Sequence, residues 1–163
     1  MKKLYILRHA KSDWDEKFRD DFERGLSKRG FNDILLVAKR LKKEKLKIDL
    51  IVSSQATRAK ITAEIFGAIL GYDIDNIIFK KELYLANQED ILKTIQKVDS
   101  SIDNLVIVGH NPDFTDLVNY LTNLNLDNLP TSSIVGVKLN INSWKEIKKG
   151  KSILYLTPKM LKS

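Results

Sequence analysis

A chain of 163 residues that is 43% apolar and 30% charged can bury a core, which sets aside the disordered and fibrous classes. Its 28 basic and 21 acidic residues leave a net charge of +7. It has no cysteine, so disulfides, zinc–thiolate centres and a thiol nucleophile are excluded.

No stretch approaches the roughly 18 uncharged apolar residues that a membrane helix needs. The opening apolar run is interrupted at Arg8, too early for a secretory signal, so the expected location is the cytoplasm, with no membrane partner. Two basic runs, Lys39 to Lys47 and Lys145 to Lys151, carry much of the positive excess. They read as a solvated helix end and a charged hairpin. They hold no interleaved aromatics for base stacking, so no nucleic-acid partner is expected.

In chain order, Lys3 to Leu7 is a compact apolar run and predicts a buried strand that ends at Arg8-His9. Ser27 is a helix N-cap candidate. Phe31, Ile34, Leu35, Ala38 and Leu41 follow at helical spacing and predict one buried face. Ile48 to Val52 predicts a second strand closing on Ser53-Ser54. A helix from about Thr57 would bury Ala59, Thr62, Ala63, Phe66 and Ile69 and stop at Gly71. Ile77 to Phe79 predicts a short strand and Glu89 to Val98 a helix. Leu105 to Val108 predicts a strand that runs into Gly109-His110-Asn111-Pro112, and Phe114 to Leu124 a helix. Ile134 to Asn140 and Ser152 to Thr157 predict two strands joined by a polar turn near Lys149-Gly150.

This alternation predicts an α/β fold: a single domain over residues 1–163, three layers deep (α/β/α). The sheet is expected to be mostly parallel, with an antiparallel edge at the C-terminal end. Ligands of such sheets bind beyond the carboxyl ends of the strands. Both histidines of the chain, His9 and His110, fall at predicted strand ends, with Arg8 and Arg58 beside such ends. Two guanidinium groups and two imidazoles at one edge form a pocket for a tetrahedral dianion. A nucleophilic histidine there must be neutral, which neighbouring cations favour by opposing protonation. One ring nitrogen would face phosphorus while a backbone carbonyl holds the other.

Three segments carry a family resemblance. Leu7-Arg8-His9-Ala10, Ser53-Ser54-Gln55-Ala56-Thr57-Arg58-Ala59 and Gly109-His110-Asn111 resemble, in order, the signature segments of the histidine phosphatase superfamily. Arg8-His9-Ala10-Lys11-Ser12, Asp20-Asp21-Phe22-Glu23-Arg24, Leu26-Ser27-Lys28-Arg29-Gly30 and Thr131-Ser132-Ser133-Ile134 resemble its small SixA-type phosphohistidine phosphatase branch. The resemblance implies that His9 is the nucleophile of a covalent phosphohistidine intermediate, later hydrolysed by water. It implies that Arg8 and Arg58 bind phosphoryl oxygens and that His110 donates to the phosphoryl group. It implies no metal and no cofactor, since the pocket supplies its own cations. The implied partner is a phosphorylated protein bearing phosphohistidine.

Two positions depart from the pattern. Ala10 replaces glycine, so the turn after His9 must not need a positive φ. Gly25 stands where proline is usual, which predicts a looser lead into the first helix. The general acid is expected at Glu82, in the place where larger relatives carry a carboxylate; its alternative reading is a surface glutamate. Asp15, Asp20 and Asp21, in the loop after His9, could also reach the site. Lys11, Ser12 and Trp14 are expected at the mouth.

Only residues 59 to 81 separate Arg58 from Glu82, too few for the lid of a phosphoglycerate mutase. Imidazole, with a pKa of about 6.5, leaves far more easily than an alkoxide, whose parent acid lies near that of water at about 15.7. An open pocket and a doubtful acid therefore favour protein phosphohistidine as substrate. The alternatives are a phosphomonoesterase for small metabolites and a phosphoprotein-binding module without catalysis.

Overall fold

A computed structural model describes residues 1–13 and 20–162. Six strands form one sheet, β1 (Lys2–Arg8), β2 (Leu50–Ser54), β3 (Ile78–Lys80), β4 (Asn104–Gly109), β5 (Ile134–Leu139) and β6 (Lys151–Leu156), in the order β3-β2-β4-β1-β5-β6. The four central and left-hand strands pair in parallel, and β5 pairs antiparallel with both β1 and β6. The expected α/β architecture, with its antiparallel C-terminal edge, is the one observed.

Alternation along each strand divides the core between the two faces. Leu4, Ile6, Leu105 and Ile107 point into one cluster, under α3 (Gln88–Gln96) and α4 (Asp113–Leu121). Tyr5, Leu7, Val106 and Val108 point into the other, under α1 (Lys28–Lys43) and α2 (Thr57–Ile69). This is the period of two that buries a parallel sheet on both faces. A last short helix, α5 (Pro158–Leu161), was not legible in the sequence, nor was the burial of Trp144 within the connection between β5 and β6.

Ser27 caps α1, its side chain accepting the Gly30 N–H. The buried face of that helix is Gly30, Asp33, Ile34, Val37, Ala38 and Leu41. Phe31, expected inside, is 41% exposed. A Cβ at Gly30 would lie 2.2 Å from the Lys11 carbonyl oxygen, so close backbone contact sets the rotation of α1 and turns Phe31 outward. The lead into α1 is also firmer than Gly25 suggested. The Asp13 N–H donates to the Gly25 carbonyl at 2.9 Å, the Ser27 N–H donates to the Lys11 carbonyl at 2.9 Å, and Ser12 bridges Leu26. Ala10 keeps a negative φ and donates its N–H to Thr62 Oγ1 at 2.9 Å.

Gly109 ends β4 under the ring of Phe114, and a Cβ there would approach that buried ring to 2.6 Å. The glycine thus lets α4 pack down on the strand end that carries His110. Gly109→Ala is expected to destabilise the protein by about 1–3 kcal/mol through overpacking. Urea unfolding should show a lower midpoint at unchanged slope, and an unchanged midpoint would contradict the packing described.

Candidate functional site

The register of β1 against β4 builds the site. Arg8 is opposite Gly109, so the next residues, His9 and His110, emerge side by side at the carboxyl edge. Their ring centroids are 5.1 Å apart. The His9 N–H donates to the Gly109 carbonyl, the His9 carbonyl accepts the Ser132 N–H, and the Arg8 N–H donates to the Ser133 carbonyl. Ser132 holds a φ of 61° to make that contact, a left-handed conformation uncommon for a serine. Arg58 enters from the first turn of α2, just after β2. Arg8, His9, Arg58 and His110 line one cavity of about 320 Å3, together with Lys11, Ser12, Arg24, Asn111 and Thr131.

His9 Nδ1 lies 2.7 Å from the Ala10 carbonyl oxygen. A carbonyl can only accept, so Nδ1 carries the proton and Nε2 keeps its lone pair. Burial, followed by His110 and the two arginines, holds the His9 pKa well below the ordinary 6.5, against the Ala10 bond that raises it. Burial and Arg58 likewise lower His110 to about 3, although Asp21 pulls the other way. Both imidazoles are therefore neutral near pH 7. His110 Nε2 is 2.8 Å from Ser54 Oγ, while its buried Nδ1 has no partner among the described residues. Ser54 was not singled out as a functional residue in the sequence; only the strand-end geometry reveals that it touches His110.

The two guanidinium groups are anchored on the backbone. Arg8 Nη1 donates to the Leu129 carbonyl at 2.9 Å. Asn111 Nδ2 donates to that same carbonyl at 3.1 Å, and Asn111 Oδ1 accepts from Thr115, so the loop before β5 and the start of α4 are tied together. Arg58 donates to Asp21 twice, to its carbonyl at 2.6 Å and to its carboxylate at 3.1 Å. Asp21 Oδ1 also pairs with Arg24 at 3.1 Å, and Tyr84 donates its hydroxyl to Asp21 Oδ2 at 2.6 Å. These contacts, the tyrosine first, hold the Asp21 carboxyl below its ordinary range. An internal carboxylate thus sits on the cations that an incoming oxyanion would use.

The remaining sequence candidates separate cleanly. Lys11 and Ser12 line the cavity as expected, whereas Trp14 and Asp15 lie outside the described residues. Asp20 is exposed and accepts the Glu23 N–H. Glu82 is exposed and lines a different cavity with Lys80, Asp90 and Lys93, so the structure does not bring it to His9. Among the described residues no cluster of three or more histidine, aspartate or glutamate side chains is placed to hold a metal ion. None of the helices described is long and apolar enough to cross a membrane.

The folded-state pKa of each histidine is lowered, so the neutral form persists as pH falls through 6.5 and is lost only below the folded value. The chain has two histidines, so their ring proton resonances can be followed directly. Neither should titrate with a midpoint near 6.5, and a midpoint at that unperturbed value would contradict the burial described.

The model of the histidine phosphatase superfamily (branch 1) matches residues 4–84. A chloroplastic, uncharacterized protein of Arabidopsis thaliana is 29% identical over 153 residues, which cover 89% of this chain and 70% of the relative. A crystal structure from Agrobacterium tumefaciens that carries the phosphohistidine phosphatase SixA designation is 27% identical, with a TM-score of 0.81 over 96% of this chain and 98% of that one. The protein histidine phosphatase SixA in complex with tungstate has the same fold, with a TM-score of 0.83 at 23% identity and coverage of 98% and 99%. On these matches, and on a strand edge that gathers the arginines and histidines of its signature segments, the chain belongs to the histidine phosphatase superfamily and has the fold of its small SixA-type members.

Proposed function

We propose that the protein is a phosphohistidine phosphatase that acts on phosphorylated proteins through a phosphoryl-enzyme intermediate on His9. The observation that carries this reading is the tautomer of His9: with Nδ1–H held by the Ala10 carbonyl, Nε2 is a neutral nucleophile in a pocket lined by the guanidinium groups of Arg8, Arg24 and Arg58. Arg8 and Arg58 bind the phosphoryl oxygens, Arg58 exchanging its bonds to Asp21 for bonds to the substrate. A phosphoryl group with up to two negative charges competes well with one partly exposed carboxylate for a forked donor. Ser54 donates its hydroxyl proton to His110 Nε2, which leaves Nδ1–H to stabilise charge on the phosphoryl group in the transition state. Water then releases phosphate from His9 and restores the free enzyme.

Substrate class follows from the leaving group. The cavity of His9 contains no carboxylic acid among its described lining residues, and Glu82 faces elsewhere. Imidazole leaves without strong acid assistance, whereas an alkoxide does not. The Agrobacterium tumefaciens structure, named for phosphohistidine phosphatase activity, supports the same reading.

Purified protein should hydrolyse a phosphohistidine-bearing protein with a higher kcat/KM than it shows for sugar or serine phosphates. Faster turnover of a sugar phosphate would reject the substrate class and favour a small-metabolite phosphomonoesterase. No turnover of any phosphate compound would favour a binding module. His9→Ala should abolish activity, and Arg58→Ala should lower kcat by about 100-fold or more, as loss of a transition-state charge partner does. Glu82→Gln should stay within about twofold of the wild type, because a surface change away from the site removes no transition-state contact.

A further inference from the structure

A second cavity, of about 280 Å3, opens beside the first, and Arg58, His110 and Asn111 line both. Whatever group a bound phosphoryl is attached to therefore has this space next to it. The rest of its lining is Tyr84, Leu85, Ala86, Pro112 and Asp113, mostly apolar and aromatic with a single carboxylate. The Tyr84 ring stands edge-on to His110, with centroids 5.4 Å apart, and Phe22 backs it at 5.2 Å.

Two features of this lining have no explanation in the packing of the protein itself. Leu85 is 82% exposed and has a φ of 52°, so an apolar side chain is held in solvent on a sterically disfavoured backbone. Asp113 is half-buried and makes no ion pair or side-chain hydrogen bond with any described residue. The first turn of a helix favours an acidic residue by itself. Here, however, burial and the neighbouring Asp116 and Asp90 push the Asp113 carboxyl upward, so it lacks a compensating donor.

Building on the phosphohistidine reading above, we propose that this cavity is the leaving-group subsite and takes the imidazole ring of the substrate phosphohistidine. The ring lies against Tyr84 and Pro112, its free N–H donates to the Asp113 carboxylate, and Leu85 contacts the surface of the carrier protein. A sugar would bring several hydroxyls to a wall that is largely apolar and aromatic with one carboxylate, whereas a protonated imidazole brings one flat ring and one N–H. Asp113 favours the protonated ring, which is the better leaving group. The P–N bond breaks and its electron pair stays on the substrate nitrogen. The new bond forms from His9 Nε2 to phosphorus. The substrate leaves as a neutral imidazole that keeps its N–H, and the positive charge passes to the phosphorylated, Nδ1-protonated His9, so charge and protons balance.

The test compares kcat/KM for a phosphohistidine-bearing protein and for para-nitrophenyl phosphate, whose leaving group has no N–H. In the full chain, Asp113→Asn should lower the ratio of the two by about tenfold or more, the size expected for a charge-assisted hydrogen bond. Asp113→Glu should recover part of that loss. Leu85→Asn, which tolerates the left-handed backbone, should raise KM for the protein substrate more than for the aryl phosphate. Thermal melts verify that each variant is folded. An unchanged ratio in Asp113→Asn, with the wild type active on phosphohistidine, would overturn the subsite and leave the proposed function standing. A wild type that hydrolyses para-nitrophenyl phosphate but no phosphohistidine protein would overturn both.

Discussion

Three guanidinium groups, those of Arg8, Arg24 and Arg58, share one pocket with two imidazoles, and they can do so because the imidazoles give up their charge. Parallel register sets Arg8 beside Gly109 and so brings His9 and His110 within 5.1 Å of each other. Protonating either ring would add one more cation to a cluster that already opposes the charge on Arg8 through burial and Arg58. The same repulsion keeps His9 neutral, as the proposed nucleophile must be, and makes the pocket attractive to an anion.

Asp21 gives the pocket a counter-ion of its own. It draws on Arg58, Arg24 and Tyr84 together, and through Tyr84 it links the cavity of His9 to the cavity beside it. Arg58 is buried while the Asp21 side chain is 47% exposed, so an incoming oxyanion would replace the carboxylate from the solvent side of the pair. Deeper in the site, the Leu129 carbonyl receives both Arg8 and Asn111, and the Ala10 N–H is held by Thr62. Positioning thus comes from buried backbone contacts, and exchange takes place at the rim.

Strand ends were the most legible part of the sequence. Short apolar runs ending on Arg8-His9, on Ser53-Ser54 and on Gly109-His110 located the site, because a parallel sheet places all such ends on one edge. The Ser27 cap was legible for a local reason, since its partner is only three residues away. Loop residues were a different matter. Glu82 sits in the right stretch of chain but turns to another cavity, while Tyr84, two residues on, reaches Asp21 and His110. Periodicity states which face of a helix or strand is buried and says nothing about a three-residue turn. Phe31 failed for a tertiary reason, the close approach of Gly30 to Lys11, and Asp113 carried no signal beyond being an acid at a helix start.

The central claim is that phosphorus becomes bonded to His9 Nε2, and trapping the intermediate tests it most directly. Brief reaction with a labelled phosphohistidine protein, an alkaline quench and peptide mapping should place an acid-labile, base-stable label on the peptide that contains His9. Neutral Nε2, freed by the Nδ1–H bond to Ala10, predicts that label and its loss in His9→Ala. Rapid turnover with no label on His9, or turnover that survives His9→Ala, would contradict the account and assign the attack to water.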